Sequence, residues 1–121
     1  MVLGSKIREM KKIALFIKDF RRATKISEKL VDLNNEIRFF ETTLDDATDC
    51  SLAIIDLNES DFANSEFISR LKMNSNIYII GYVSKVVKES HDIFKSSGCD
   101  IILSNASISK NIERLASEAL K

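Results

Sequence analysis

The stretch Ser51–Asn58 reads Ser-Leu-Ala-Ile-Ile-Asp-Leu-Asn and decides the fold. It is an apolar run without alternation of polar and apolar residues, which is typical of an interior strand in a parallel sheet covered by helices on both faces. The run ends at Asp56. Because ligands of open α/β sheets bind at the carboxyl ends of the strands, Asp56 is the first candidate for a functional residue.

Strand-like and amphipathic segments alternate along the rest of the chain. We predict four further strands, at Ile13–Ile17, Glu36–Phe40, Ile77–Val83 and Ile101–Leu103. The first predicted helix is Arg22–Asn34, and the second is one or two turns within Thr42–Asp49. The third starts near Phe62 with Ser60 or Asp61 as its cap, and the fourth covers Val86–Ser97 and stops at Gly98. The last helix begins at Ser107 or Ser109. Such alternation predicts right-handed crossovers and a parallel sheet.

The prediction is therefore one α/β domain over residues 1–121, with residues 1–11 as a frayed N-terminal extension. Five parallel strands with short connections most often have the order 2-1-3-4-5, which makes the domain a flavodoxin-like three-layer α/β/α sandwich. In this order the binding crevice lies between the first and third strands. The prediction places Lys18, Asp19 and Asp56 around that crevice.

Composition excludes several classes of protein. Eighteen Lys and Arg cancel eighteen Asp and Glu, so no net charge attracts the chain to nucleic acid or to an anionic membrane. No apolar run approaches the roughly 18 residues of a membrane-spanning helix, and we expect a cytoplasmic protein.

Cys50 and Cys99 have neither the spacing of a zinc site nor the number expected of a disulfide framework, so we expect both to be reduced. His91 is predicted to be a solvated residue. Arg21 and Arg22 either meet a phosphate or lie in solvent, as basic residues at a helix start usually do.

The order of the motifs resembles the receiver domain of two-component response regulators. The resemblance is carried by an apolar strand that ends near acids, a strand that ends Ile-Asp-Leu-Asn, a strand before Gly81, the segment Ser-Gly-Cys-Asp-Ile-Ile-Leu at residues 97–103, and an amphipathic C-terminal helix. It covers the chain from Lys12 onward. In that family a histidine kinase passes a phosphoryl group to an aspartate after the third strand, and the resemblance makes Asp56 that residue. The family also uses two acids that hold Mg²⁺, a Ser or Thr after the fourth strand, and a Lys after the fifth.

Most of these functional residues are replaced here. The acid pair falls on Lys18 and Asp19, and the hydroxyl position falls on Gly81. The lysine position falls on Asn105, and the aromatic position of the fifth strand falls on Ile102. Beside Asp19 and Asp56, the backbone of Asn58 is what the resemblance retains. We expect no cofactor, and if a metal ion is bound it is Mg²⁺ held by Asp19 and Asp56. We expect the Lys18 ammonium to neutralise Asp56 directly.

The leading hypothesis from the sequence is a degenerate, stand-alone receiver-like signalling domain, a pseudo-receiver that is not an enzyme and acts by protein–protein interaction. The alternative is an atypical response regulator that accepts a phosphoryl group on Asp56 with Mg²⁺. A further alternative is a small flavodoxin-like module that binds a nucleotide or a flavin at the switch point. The expected partner is another signalling protein or a second copy of the chain, with no nucleic acid or membrane. The resemblance implies docking through the fourth predicted helix, the fifth strand and the fifth predicted helix, over Val86–Ser96 and Ser107–Lys121.

Overall fold

The computed structural model describes residues 11–31, 35–43, 47 and 49–120. The strands are β1 (Lys12–Phe16), β2 (Glu36–Phe40), β3 (Leu52–Asp56), β4 (Tyr78–Val83) and β5 (Ile101–Ser104). The helices of this part of the chain are α1 (Phe20–Leu30), α2 (Ser65–Ser75), α3 (Lys88–Ser97) and α4 (Asn105–Ala119). They correspond to the first, third, fourth and fifth helices predicted from the sequence. The predicted extension, apart from Lys11, and much of the predicted turn at residues 42–49 lie outside the described residues.

The five strands form one parallel sheet in the order β2-β1-β3-β4-β5, as predicted. β3 lies at the centre, where Phe16 of β1 pairs with Ile55 and Tyr82 of β4 pairs with Asp56. All five residues of β3 are buried, as expected of a strand covered on both faces. The carboxyl ends of β1, β3, β4 and β5 therefore meet at one edge, and Asp56 is the last residue of the central strand.

Alternate residues of the strands enter two hydrophobic cores, one on each face of the sheet. One core contains Leu52 and Ile54 and is covered by α1 and α4. The other contains Ala53 and Ile55 and is covered by α2, with Phe94 of α3 packed against it. In this second core the ring centroid of Phe16 lies 5.0 Å from Phe40, 5.7 Å from Phe62 and 4.9 Å from Phe67.

Three helices begin at other residues than the sequence predicted. α1 starts at Phe20 because the Asp19 carboxylate accepts hydrogen bonds from the backbone N–H groups of Arg21 and Arg22. α2 is capped by Asn64 and not by Ser60 or Asp61, since Phe62 is buried in the turn before it. α4 is capped by Ser104 and follows β5 directly, so the predicted starts at Ser107 and Ser109 are wrong.

The apolar residues of α3 are less buried than those of the other helices. No residue of α3 is buried, and Val87 and Ile93 are 48% and 54% exposed. Val86, in the turn before the helix, is 47% exposed. The helix also lacks a side-chain hydrogen bond at its N-cap, Val87. α3 therefore presents an apolar surface to solvent.

The cysteines agree with the prediction of structural thiols. Cys50 and Cys99 are buried and free, and both belong to the core under α2. Burial raises the pKa of the Cys50 thiol to about 11 and that of Cys99 to about 12. Both thiols therefore stay protonated at neutral pH. In the part of the chain that the structure describes, no helix has the length and apolar character to span a bilayer.

Candidate functional site at the carboxyl edge of the sheet

Asp56 is the one buried charged residue among those described, with 5% of its surface exposed. Its Oδ1 atom accepts a hydrogen bond from the backbone N–H of Asn58 at 2.9 Å and another from the Asn58 side-chain amide at 2.8 Å. The carboxylate is therefore held by both the backbone and the side chain of Asn58. These two hydrogen bonds satisfy part of the hydrogen-bonding capacity of a buried carboxylate.

The side chain of Asn58 joins the ends of three strands. Its Nδ2 atom donates to Asp56 at the end of β3 and, at 3.1 Å, to Oδ1 of Asn105 after β5. Its Oδ1 atom accepts a hydrogen bond of 2.7 Å from the backbone N–H of Ser84 after β4. An amide has both a donor and an acceptor end, so one residue can make all these links. The sequence pointed to the backbone of Asn58, and this role of its side chain was missed.

Lys18 does not neutralise Asp56, which corrects the sequence-based expectation. Its ammonium forms an ion pair with Asp61 and lies 4.0 Å from Glu59. The hydrogen bond to Asp61 raises the pKa of Lys18 above its usual value. Both acids belong to the turn after β3, so Lys18 attaches that turn to the end of β1. Its ammonium also lies 5.7 Å from the centroid of the Phe62 ring.

Gly81 does not occupy the hydroxyl position at the end of β4. It pairs with Ile55 in the interior of the sheet, and a Cβ atom there would lie 2.6 Å from Cδ1 of Leu57. The strand continues to Val83, and Ser84 follows it. Ser84 contributes its backbone N–H to Asn58, so the residues that meet the crevice from β4 are Val83 and Ser84. The glycine serves the close packing of the sheet against the turn after β3.

Asp19 and Asp56 form a limited donor set for Mg²⁺. Oδ1 of Asp19 is used to cap α1, and Oδ1 of Asp56 is used by Asn58. Among the described residues there is no group of three His, Cys, Asp or Glu side chains arranged to hold a metal ion. Mg²⁺ commonly takes one or two carboxylates and keeps several waters. The two carboxylates offer this ion a partial donor set, without the second acid that Lys18 replaces.

Tyr82 is a further residue of the site that the sequence analysis missed. It pairs with Asp56 across the sheet and is fully buried, and its hydroxyl has no hydrogen-bond partner among the described residues. Burial raises the pKa of this hydroxyl far above its usual value, the Asp56 carboxylate raises it further, and Arg22 opposes the shift. The Arg22 guanidinium lies 5.6 Å from the centroid of the Tyr82 ring. The cation that packs against Tyr82, the strand neighbour of Asp56, is thus Arg22 and not Lys18.

Replacing Tyr82 by Phe is expected to leave the free energy of unfolding unchanged or to raise it by up to about 1 kcal/mol, because a buried hydroxyl without a partner destabilises the folded state. Urea denaturation at neutral pH measures the change. Tyr78→Phe, a half-buried tyrosine on the same strand, is the control. A loss of more than about 1 kcal/mol in Tyr82→Phe would instead indicate that the hydroxyl donates a strong hydrogen bond to Asp56.

Comparison with known proteins identifies the fold. No protein-family model matches the chain, and no curated protein matches it. Solved structures do match over nearly the full length. The beryllofluoride-activated receiver domain of DrrB, a protein of Thermotoga maritima, is 20% identical, with a TM-score of 0.80 and coverage of 93% of this chain and 98% of that one. The chain therefore has the fold of response regulator receiver domains.

Two other structures give the same result. A CheY-like response regulator from Mesorhizobium loti is 18% identical, with a TM-score of 0.75 and coverage of 92% of this chain and 99% of that one. HP1043, described as an orphan response regulator of H. pylori, is 16% identical, with a TM-score of 0.77 and coverage of 94% and 99%. At these identities the likeness concerns the fold. The roles of Asp56 and its neighbours rest on the geometry of this chain.

Proposed function

We propose that the protein is a divergent receiver-like signalling domain that binds another protein without phosphorylation at Asp56. The observation that carries this proposal is the set of hydrogen bonds made by the Asn58 side chain to Asp56, Ser84 and Asn105. In the receiver family, as the resemblance describes it, the phosphoryl group on the aspartate meets groups that follow the fourth and fifth strands. Here a neutral amide makes the equivalent links in the unmodified chain.

The charges of the crevice support the same proposal. Phosphoryl transfer depends on positive groups that neutralise the transferring oxygens. The position that a lysine holds in the family carries Asn105, whose side-chain oxygen accepts from Asn58. The ammonium of Lys18 is engaged by Asp61 and Glu59. Asn105 is therefore neutral, and the charge of Lys18 is directed to other acids than Asp56.

One observation favours the alternative of an atypical phospho-acceptor. The Asp56 and Asp19 carboxylates raise the pKa of the Tyr82 hydroxyl, and the Arg22 guanidinium lowers it. Two acids and one cation are thus near one another at the edge of the sheet. This arrangement retains part of what Mg²⁺-dependent transfer to Asp56 would require.

Phosphorylation is tested with acetyl phosphate, and separately with beryllofluoride, in the presence of Mg²⁺. We expect no mass increment of a phosphoryl group and no change in the amide NMR spectrum. Asp56→Asn is the matched control for any response. A spectral change that is centred on Asp56 and abolished in Asp56→Asn would contradict the proposal and favour the phospho-acceptor.

The role of Asn58 is tested in the same spectra. Asn58→Ala is expected to shift the amide signals of Ser84 and Asn105 because it removes the links between the strand ends. Asn111→Ala, which removes an amide that bonds within α4, should leave those signals in place. Unchanged signals of Ser84 and Asn105 in Asn58→Ala would show that the strand ends hold their arrangement without this residue.

For the docking surface we propose the exposed face of α3 with β5 and α4. Three apolar side chains of this segment are about half exposed, namely Val86, Val87 and Ile93. A groove of about 380 Å³ continues this surface toward the crevice and is lined by Leu57, Val83, Phe94 and Ile102 among others. This continuity would connect a partner on α3 with the turn that holds Asn58.

Self-association through this surface is measured by sedimentation velocity over a range of concentrations. If the partner is a second copy, Ile93→Glu is expected to abolish the association, because it places a charge in an apolar interface. Phe39→Glu is the control, since Phe39 is 56% exposed on β2, at the edge of the sheet opposite β5. An equal loss of self-association in both variants would contradict docking through α3.

A further inference from the structure

A groove of about 660 Å³ runs along α1 beside the start of α4. Four cations line it, namely Arg21, Arg22, Lys25 and Lys29, together with the acids Asp19 and Glu28. Binding sites for small molecules commonly measure about 300–1,000 Å³. The groove has the size of such a site and an excess of positive charge.

The cations of the groove differ in their pairing from other basic residues among those described. No ion pair joins Arg21, Lys25 or Lys29 to an acid within the described ranges 11–31, 35–43, 47 and 49–120. By contrast Lys12, Lys18 and Arg38 are all paired. Like charges four residues apart on a helix destabilise it. An anion in the groove would remove that repulsion.

The spacing of the cations indicates the length of the anion. Residues 21, 25 and 29 are four apart, so they follow one another along one face of α1. At about 1.5 Å of rise per residue, Arg21 and Lys29 are separated by about 12 Å along the helix axis. A single phosphate would meet only part of this row, whereas a chain of two or more phosphates would meet cations on successive turns.

The other lining residues favour a small molecule over a nucleic acid. Glu28 and the Ser109 side chain offer hydrogen-bonding partners to hydroxyl or amino groups. The carboxylates Asp19 and Glu28 would repel a continuous polyanion, and the chain has no net charge that would attract one. We propose that this groove binds a small molecule that carries two or more phosphate groups. The groove shares Asp19 and Arg22 with the surroundings of Asp56, and the proposal is independent of the function proposed for Asp56.

The test measures binding of inorganic pyrophosphate and of ADP by isothermal titration calorimetry and by amide NMR. A chelator removes divalent ions, so that a Mg²⁺ complex at Asp19 and Asp56 cannot contribute. We expect a Kd below about 1 mM, with shifts centred on residues 19–29 and on Ser109. The double variant Lys25→Gln/Lys29→Gln should weaken binding at least tenfold while the circular dichroism spectrum stays unchanged. Lys85→Gln/Lys88→Gln removes the same charge from two exposed positions outside the groove and should bind as the original protein does.

Three results would overturn the proposal. The first is an absence of shifts along α1 at millimolar ADP and pyrophosphate. The second is equal weakening by the two double variants, which would indicate attraction to positive charge in general. The third is a set of shifts centred on Asp56, Asn58 and Asn105, which would place the ligand in the crevice and not in the groove.

Discussion

Phe16→Ala is expected to lower the free energy of unfolding by about 3–5 kcal/mol, the range for truncation of a fully buried aromatic side chain. Phe16 has no exposed surface and contacts the rings of Phe40, Phe62 and Phe67. Its removal leaves a cavity among three aromatic rings that a rigid sheet cannot close. Urea denaturation measures the loss. Phe39→Ala is the control, because Phe39 is 56% exposed on the edge strand β2 and should cost far less.

The same substitution is expected to affect the candidate site, because the Phe16 ring contacts the Phe62 ring. This ring is buried in the turn after β3, and the turn also carries Asn58, Glu59 and Asp61. Loss of the Phe16 ring should therefore increase the mobility of the turn, and Asn58 should hold Ser84 less firmly. Faster hydrogen exchange of the Ser84 amide would report this. If Phe16→Ala fails to fold, Phe16→Leu provides a milder cavity, and an unchanged exchange rate in that variant would contradict the coupling.

Gly98→Ala is expected to destabilise the protein by roughly 2–4 kcal/mol, from backbone strain and from steric overlap together. Gly98 has φ of 141°, a conformation that residues with a Cβ atom rarely adopt. A Cβ atom would lie 2.9 Å from Cβ of Lys72 and 3.2 Å from its Cγ. Thermal or urea unfolding measures the effect. Ser96→Ala, an exposed neighbour in α3, should change stability by no more than about 0.5 kcal/mol.

Displacement of Lys72 would also break a set of polar contacts. The Lys72 ammonium donates to the carbonyl of Ile77 at 2.7 Å and to Oδ2 of Asp100 at 2.6 Å. The same oxygen of Asp100 accepts from the N–H of Ile79 at 2.8 Å. These bonds join the end of α2 to the starts of β4 and β5. A stability of Gly98→Ala within about 0.5 kcal/mol of the original protein would show that Lys72 can move without losing them.

The sheet was predictable because strands that are buried on both faces consist of consecutive apolar residues. The runs at β1, β3 and β4 contain few polar residues, and the short connections allow few topologies. The helix starts were less predictable. Between Asn58 and Ser65 several polar residues can cap a helix, and the choice of Asn64 follows from the burial of Phe62 among other aromatic rings. That contact joins residues far apart in the chain, so local pattern does not reveal it.

The candidate site was predictable in position and not in its contacts. Asp56 lies at the end of the central strand, as its place in the apolar run predicted. The partner of Lys18 depends on how the turn after β3 folds back, which the sequence of that turn does not specify. Gly81 was assigned to the hydroxyl position although the predicted strand already extended to Val83, and the residue that follows this strand is Ser84. The position of Tyr82 could have been predicted, since aligning the parallel strands β3 and β4 places it beside Asp56.

The lack of buried side chains in α3 has a consequence for the cooperativity of the fold. A helix that contributes no fully buried residue, begins without a side-chain cap and ends at a glycine adds little to the free energy of global unfolding. We expect its first turns to open as a separate unit while the sheet, α1, α2 and α4 remain folded. Its backbone amides should then exchange through a subglobal opening of low free energy. A partner that binds α3 would order this segment and stabilise the domain by closing that opening.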